Sequence, residues 1–306
     1  MSFQVANPFV GQIPLVASLN GATIARAQLL RRFPQYQTVT DFRPLVGESK
    51  YHALQINLQK RFSDGLSGTF SYVWSKLMDT SGVGNGAAFL DPSAIQDINN
   101  YRRGEYSLST LDVPHRVVGS FSYELPFGNK KPFATNVGKL ANTFIGGWQL
   151  SGTATWQRGT PILIVANGFT ELTAALTGSQ NAVRRPNRVG PNTFNLDTFH
   201  TNARAGTAVI DINAFQSPSS LVLGNGSRTY NDVRRDSYKN FDLSLIKNFG
   251  FFENKQKLQL RIEALNVFNL VVFGTPGNNI NAANFGIVTT QGNRPRILQL
   301  VGRYTF

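Results

Sequence analysis

Runs of strictly alternating apolar and polar side chains recur along this chain, and they come in pairs. In residues 52–62, Leu54, Ile56, Leu58 and Phe62 share one face of an extended strand, and Gln55, Asn57, Gln59 and Arg61 share the other. Ser63-Asp64-Gly65 follows, and residues 66–76 then set Leu66, Gly68, Phe70, Tyr72 and Trp74 against Ser67, Thr69, Ser71 and Ser75. A three-residue hairpin loop ending in glycine predicts a type I turn with a bulge, in which Gly65 takes the left-handed conformation. That loop pairs Phe62 with Leu66, and hence Leu58 with Phe70, Ile56 with Tyr72 and Leu54 with Trp74. Both apolar faces then fall on one side of the sheet, which a slip of one residue would prevent.

Five further stretches behave alike: residues 116–125, 147–158, 240–249, 257–268 and 296–306. In 257–268, for example, Leu258, Leu260, Ile262, Ala264 and Phe268 oppose Gln259, Arg261 and Glu263. Each run is about ten residues, the length of a tilted strand that crosses a bilayer, whereas strands of soluble proteins average about 5–6. The connections alternate as well. Residues 63–65 and 250–256 are short and 126–146 intermediate, while 77–115, 159–239 and 269–295 are long and rich in Gly, Asn, Pro, Ser and Thr. Short turns at one end and long loops at the other is the plan of an outer-membrane barrel, with turns periplasmic and loops outside. The expected fold is therefore all-β, an antiparallel transmembrane β-barrel of the outer-membrane type. Residues 1–50 are expected as an extracellular segment and 51–306 as the barrel portion. Proline-broken residues 159–239 are expected to lie opposite Phe306 and to pack loosely.

Seven strands bring the two ends of the sheet to opposite sides of the membrane, whereas bacterial single-chain barrels have an even number. The expectation is an incomplete, C-terminal portion of a larger barrel. A complete small barrel would need an eighth strand, for which 36–43 is the candidate, bracketed by Pro34 and Pro44. The last strand places Leu298, Leu300, Gly302, Tyr304 and Phe306 on one face and Ile297, Gln299, Val301, Arg303 and Thr305 on the other. A final Phe306 with Tyr304 two residues earlier resembles the signal by which outer-membrane barrels are recognised for assembly. Arg261 and Glu263, on one polar face, are expected to form a lumenal ion pair.

Composition narrows the alternatives. There is no cysteine, hence no disulfide framework or thiolate metal site. There is no apolar run long enough for a transmembrane helix, and no apolar stretch after Met1 reads as a signal peptide. The net charge of +13 raises nucleic-acid binding by a soluble basic β-protein as a rival function. The excess is spread evenly, with 15 basic and 9 acidic residues in 1–160 and 15 and 8 in 161–306. Its densest spots, Arg31-Arg32, Arg102-Arg103, Lys130-Lys131, Arg184-Arg185 and Arg234-Arg235, lie between strands as charged loops do, so no nucleic-acid partner is expected.

Tyr51-His52-Ala53-Leu54-Gln55, Lys60 to Leu66, and Ser71-Tyr72-Val73-Trp74-Ser75-Lys76 are similar to the barrel of the Oar-like TonB-dependent transporters of acidobacterial type. The resemblance continues in Asp112-Val113-Pro114-His115-Arg116, in Tyr123-Glu124-Leu125-Pro126-Phe127-Gly128 and in Gly146-Gly147-Trp148-Gln149-Leu150-Ser151-Gly152. It resumes in Asn240-Phe241-Asp242-Leu243-Ser244-Leu245, in Lys247-Asn248-Phe249 and in Arg261 to Asn269, and covers most of residues 30–306. The resemblance implies an outer-membrane location, a 22-stranded barrel, an N-terminal plug and an energy-coupling box. It implies as partners membrane lipid, the barrel-assembly machinery and, through the plug, the TonB energy-coupling protein. The plug is not read in this chain, so the resemblance implies the C-terminal part of the wall. No ligand residues and no substrate are implied.

No catalytic constellation is legible. His52, His115 and His200 are scattered without metal spacing, and Gly82-Val83-Gly84-Asn85-Gly86 lacks the Lys-Ser/Thr of a phosphate loop. There is no Gly-x-Ser-x-Gly elbow. Tyr72, Trp74, Trp148 and Trp156 are expected as an interfacial aromatic belt. The chain is expected to be no enzyme and to carry no cofactor or metal, and to act as barrel wall of a TonB-dependent receptor or transporter. The alternatives are a complete eight-stranded structural or adhesion protein and the soluble nucleic-acid binder.

Overall fold

The computed structural model describes residues 3–13, 16–37, 39, 47–80, 96–97, 100–166, 184–193, 196–219, 222–251 and 256–306. The chain divides into two compact units, residues 1–46 and 47–306. In the first, β1 (Gln4–Ala6) pairs antiparallel with β2 (Thr23–Ala25), which leads into α1 (Arg26–Leu29). The Asn7 amide closes this unit by donating to the carbonyls of Leu19 and Gly21, 2.7 Å each. The candidate eighth strand, 36–43, lies mostly outside the described residues; Tyr36, Gln37 and Val39 are described and are not in a strand.

In the second unit, all seven expected strands form. They are β3 (Ser49–Ser63), β4 (Leu66–Asp79), β6 (His115–Glu124), β7 (Trp148–Gln157), β10 (Tyr238–Phe251), β11 (Gln256–Leu265) and β12 (Ile297–Thr305). Between β4 and β6 come α2 (Tyr101–Gly104) and β5 (Ser107–Leu108), which pairs with the end of β4. The sheet order is β12-β11-β10-β7-β6-β4-β3, every neighbour antiparallel. Among the described residues β3 and β12 do not pair, so the sheet is open. β11 ends at Leu265, short of the expected Phe268, because Asn266 and Asn269 take left-handed backbone, φ 50° and 51°.

The first hairpin keeps the expected register, with Leu54 opposite Trp74, Ile56 opposite Tyr72 and Leu58 opposite Phe70. Its turn is different. Ser63, not Phe62, faces Leu66, and the extra residue is taken up by a bulge between Lys60 and Ser63. Asp64 (φ 52°) and Gly65 (φ 79°) make a two-residue turn. Asp-Gly is the favoured pair where both central residues need positive φ, and this turn matches the right-handed twist of the strands.

The register aligns whole rows. Ser67, Ser122, Ser151, Ser244, Glu263 and Gln299 lie side by side from β4 to β12 on one face. The next row, on the other face, is Gly68, Phe121, Gly152, Leu243, Ala264 and Leu298. The apolar face is not covered by protein: Leu54, Leu58, Phe70, Trp74, Phe121, Ile262, Leu298 and Leu300 are all exposed.

The hydrophobic core sits elsewhere, in the connections. Ile162, Ile164, Phe199, Val209, Ile210, Ala214, Phe215, Val233 and Phe285 form one buried cluster. This corrects the expectation of a loosely packed 159–239. The segment does lie at the end of the sheet opposite Phe306, but its described part contains α4 (Leu196–Ala205) and a short pairing of β8 (Asn187–Arg188) with β9 (Phe215–Gln216). Asp197 begins α4 where the helix dipole favours an acid, and Gly206 (φ 69°) ends it. Phe199 and Ala203, one turn apart, present its apolar side to the cluster.

Candidate functional site

The candidate site is the polar face of the sheet together with the loop layer at the ends of β4, β7 and β11. On the face, short polar side chains bond across strands. Thr69 and Ser120 hydroxyls lie 2.8 Å apart, and Gln149 Nε2 donates to Ser122 Oγ at 2.6 Å. Asp242 accepts from Asn240 Nδ2 at 2.8 Å and, through its other oxygen, from the Asn266 backbone N–H at 2.8 Å. Asn266 in turn donates to the carbonyls of Leu270 and Arg294, which fixes how the third long loop leaves and returns to the sheet. Arg261 Nη1 lies 3.0 Å from Glu263 Oε1 on this face, with Gln259 and Ser244 bonded to the same pair.

Three long loops are joined at the end of the sheet opposite Phe306. Arg185 meets Glu105 at 3.0 Å, Arg234 meets Asp112 at 2.7 Å, and Arg228 meets Asp79, all with buried partners. These pairs link residues about 80 to 150 positions apart, tying the second long loop to the first. Arg234 uses all its donors: Nε to Asn231 O, Nη1 to Asp112 O and Gly159 O, and Nη2 to Asp112 Oδ2 and Asn231 Oδ1. Asp112 also accepts the Leu77 N–H at 2.7 Å, so the pair is anchored to β4. Asp236 does the same for the third loop, bonding His200 Nε2 at 2.8 Å and the Phe273 N–H at 2.9 Å. Burial pulls the Arg185 guanidinium below its ordinary value, opposed by Glu105, and pushes the Tyr230 phenol above its own.

Where these loops meet the ends of β3 and β4 lies a cavity of about 530 Å³, lined by Ala53 and Ser75 of the polar face, by His52, Leu54, Trp74 and Lys76 of the apolar face, and by Leu108, Asp112, Asn231 and Arg234 from the loops. Its lining is mainly apolar, through Leu54, Trp74, Leu108 and Pro114, with the Asn231 amide, the Ser75 hydroxyl, the Lys76 ammonium and the Asp112–Arg234 pair as its polar groups, a set suited to holding an amphipathic ligand. Among the described residues no three acids or histidines are placed to hold a metal ion. His115 bonds the Tyr72 hydroxyl at 2.9 Å, and His52 lines the cavity rim, so the three histidines are far from one another in role.

Other sequence-read positions are placed as follows. Tyr304 and Phe306 stand exposed at the turn end of the sheet with rings 6.1 Å apart. Gly82-Val83-Gly84-Asn85-Gly86 lies outside the described residues. The double arginines are expected as charged loops; Arg184, Arg185 and Arg234 are instead buried in the roof, Arg184 donating to the carbonyls of Pro218, Ser219 and Val222. The acids that meet Arg185 and Arg234 come from a different loop, which spacing along the chain does not reveal.

A family model described as outer membrane beta barrel domain matches residues 3–299. No curated protein matches. Among solved structures, the outer membrane transporter YddB from Escherichia coli is similar, with 13% identity, 85% of this chain covered and a TM-score of 0.43. The match spans 26% of that transporter's length.

Proposed function

This chain belongs to the outer membrane beta barrel domain family, and from that premise we propose that it is the C-terminal wall of a TonB-dependent receptor or transporter of the Oar-like type. It is located in the outer membrane. The sheet's exposed apolar face meets lipid, and the polar face with Arg261 and Glu263 lines the lumen. The observation that carries the proposal is the loop layer: two long loops locked together by buried ion pairs, with the third held to them through Asp236 and the Phe273 N–H, form a built roof at one end of the sheet, with a cavity beside it at β3 and β4. A wall that only filled membrane has no use for such a roof, whereas a receptor must catch its ligand before passing it inward. Seven antiparallel strands leave β3 and β12 running in the same direction, so antiparallel closure needs additional strands from outside this sheet. In this reading the chain is not an enzyme and takes no cofactor. It meets the energy-coupling protein only through a plug, and Tyr304 and Phe306 are read by the assembly machinery.

Two measurements test this. Expressed alone, the chain is expected to give no heat-modifiable barrel; a heat-modifiable, membrane-inserted product would favour the complete small-barrel reading. Cells lacking the full-length protein should leave the same compounds in their medium as cells lacking the energy-coupling protein. Different leftovers would remove TonB dependence from the proposal, and detergent-free solubility with nucleic-acid binding would replace it altogether.

A further inference from the structure

The connection from β6 to β7 is far longer than the Asp64-Gly65 turn at the same end of the sheet, and its chemistry is one-sided. Residues 125–147 contain no acid and three lysines, Lys130, Lys131 and Lys139. They also contain α3 (Lys139–Ile145), and Phe127, Phe133, Leu140, Phe144 and Ile145 are all exposed.

Side chains of the sheet fix where α3 lies. Trp148 Nε1 donates to the Phe144 carbonyl at 2.9 Å, and Lys247 Nζ donates to the carbonyls of Phe144, at 3.3 Å, and Gly146. Trp148 and Lys247 face each other across β7 and β10 in the same-face row as Leu260 and Gly302. That is the apolar, outward face. The last turn of α3 is therefore held outside the wall, not beneath the polar face. The buried Lys247 ammonium rests on helix-end carbonyls, where a cation is favoured, with the rings of Trp148 and Phe249 about it at 5.2 and 5.0 Å. On the other side Asn142 grips the connection, its Oδ1 accepting the Asn129 N–H at 2.7 Å. Gly128 closes against it: a Cβ there would stand 2.7 Å from Gly146 Cα. With Asn142 turned inward, Leu140 and Phe144, one turn apart, point away from the protein and are 82% and 71% exposed.

We propose that α3 and its flanking lysines are an interfacial anchor that lies in the headgroup boundary of the periplasmic phospholipid leaflet. Leu140 and Phe144 enter the upper acyl chains while Lys130 and Lys139 meet lipid phosphates. Lipid is the occupant because the surface continues the sheet's lipid face through Trp148 and Lys247, and because its charge is net basic, three lysines against Glu124, which pairs with Lys131 at 2.7 Å. The anchor fixes how deep the wall sits in the bilayer. The inference rests on the outer-membrane barrel assignment and is independent of transport.

These 306 residues have no cysteine, so single spin labels can be placed by Leu140→Cys, Phe144→Cys, Asn136→Cys and Leu300→Cys in the full-length protein, with any cysteine elsewhere replaced by serine, inserted into phosphatidylethanolamine/phosphatidylglycerol vesicles. Collision with oxygen relative to a water-soluble nickel chelate reports depth. The ratio at 140 and 144 is expected to exceed that at 136 several-fold and to approach that at 300. Lys130→Gln with Lys139→Gln, or removal of phosphatidylglycerol, should make the labels at 140 and 144 shallower. Chelate access at 140 and 144 equal to that at 136, or shielding there from both reagents, would overturn the anchor. A water-exposed label at 300 would instead strike the barrel assignment beneath it.

Discussion

On the strands, Leu298 and Leu300 stand exposed while serines, glutamines and acids gather on the opposite face; in the loops, Ile164 and Phe215 are buried and the arginines go in with them. Among the described residues, Ile246 is the one buried hydrophobic on a strand of the seven-stranded wall. Soluble proteins rarely expose an apolar surface that runs across seven strands. The sheet is thus arranged for hydrocarbon on one side and the loop layer for water around it. The same hydrophobic effect that hides Phe215 in the loops leaves Leu300 outward in the wall, because the solvent there is lipid. The difference extends to the polar groups. Wall residues such as Thr69 and Ser120 pair near water and contribute modestly, whereas Arg185, Arg228 and Arg234 in the roof each meet a buried acid far away along the chain.

The largest expected effect separates these two regions. Glu105→Ala leaves the Arg185 charge buried and unpaired, a loss of about 3–5 kcal/mol. It should fall on the loop layer alone. Trypsin cleavage within 184–235 should accelerate while the assembled barrel keeps its heat-modifiable migration. If the sheet unfolds at lower denaturant by the same amount, wall and roof are one cooperative unit and the contrast fails.

A smaller effect is expected from the opposite region. Ile262→Arg, in the row of Leu245 and Leu300, puts a charge toward lipid at a cost of about 2–4 kcal/mol near the bilayer midplane. Equilibrium unfolding from vesicles would measure it, with loop protease resistance unchanged. Unaltered stability would mean that this face does not meet hydrocarbon.

How much of this was legible in the sequence follows from what each region repeats. A strand between two solvents states its environment at every second residue, so all seven strands and the inner hairpin register could be read. The hairpin tip departs from the expected three-residue loop although Asp64-Gly65 signals a two-residue turn, because the bulge at Arg61 and Phe62 lets two registers share the same inner pairs. The roof has no such period. Val209, Ile210, Val233 and Phe285 meet from different loops, and Arg185 finds Glu105 80 positions away. One local signal is present: Asp197, Phe199, Ala203 and Gly206 spell a short amphipathic helix, set among prolines and glycines that mask its period. The polar face of the site was legible with the strands; its roof and cavity were not.

Phe306 tests the wall at its end. Its ring is 93% exposed, so Phe306→Ser should cost well under the ~2 kcal/mol of a fully buried side chain. If Tyr304 and Phe306 form an assembly signal, the amount of inserted protein should nevertheless drop, while the barrels that do form melt at the wild-type temperature. Equal insertion would show that the ending is part of the lipid face and nothing more.

The smallest expected change is at Arg261, and it decides which face is which. Its guanidinium bonds Glu263 at 3.0 Å and Gln259 at 3.3 Å, and the pair is partly open to solvent. Exposed pairs of this kind contribute about 0–1 kcal/mol, and Glu263 keeps its contact with Ser244. Arg261→Leu should therefore leave stability in vesicles within about 1 kcal/mol of wild type, because the side chain exchanges one watery environment for another. Had Arg261 faced lipid, removing the charge would raise stability by several kcal/mol, the mirror image of Ile262→Arg one residue along the same strand. The two neighbours form a paired measurement: a large loss at 262 with almost none at 261 places hydrocarbon on the leucine side. Comparable losses at both positions would put protein on both faces of β11, and the sheet would no longer be a wall between lipid and lumen.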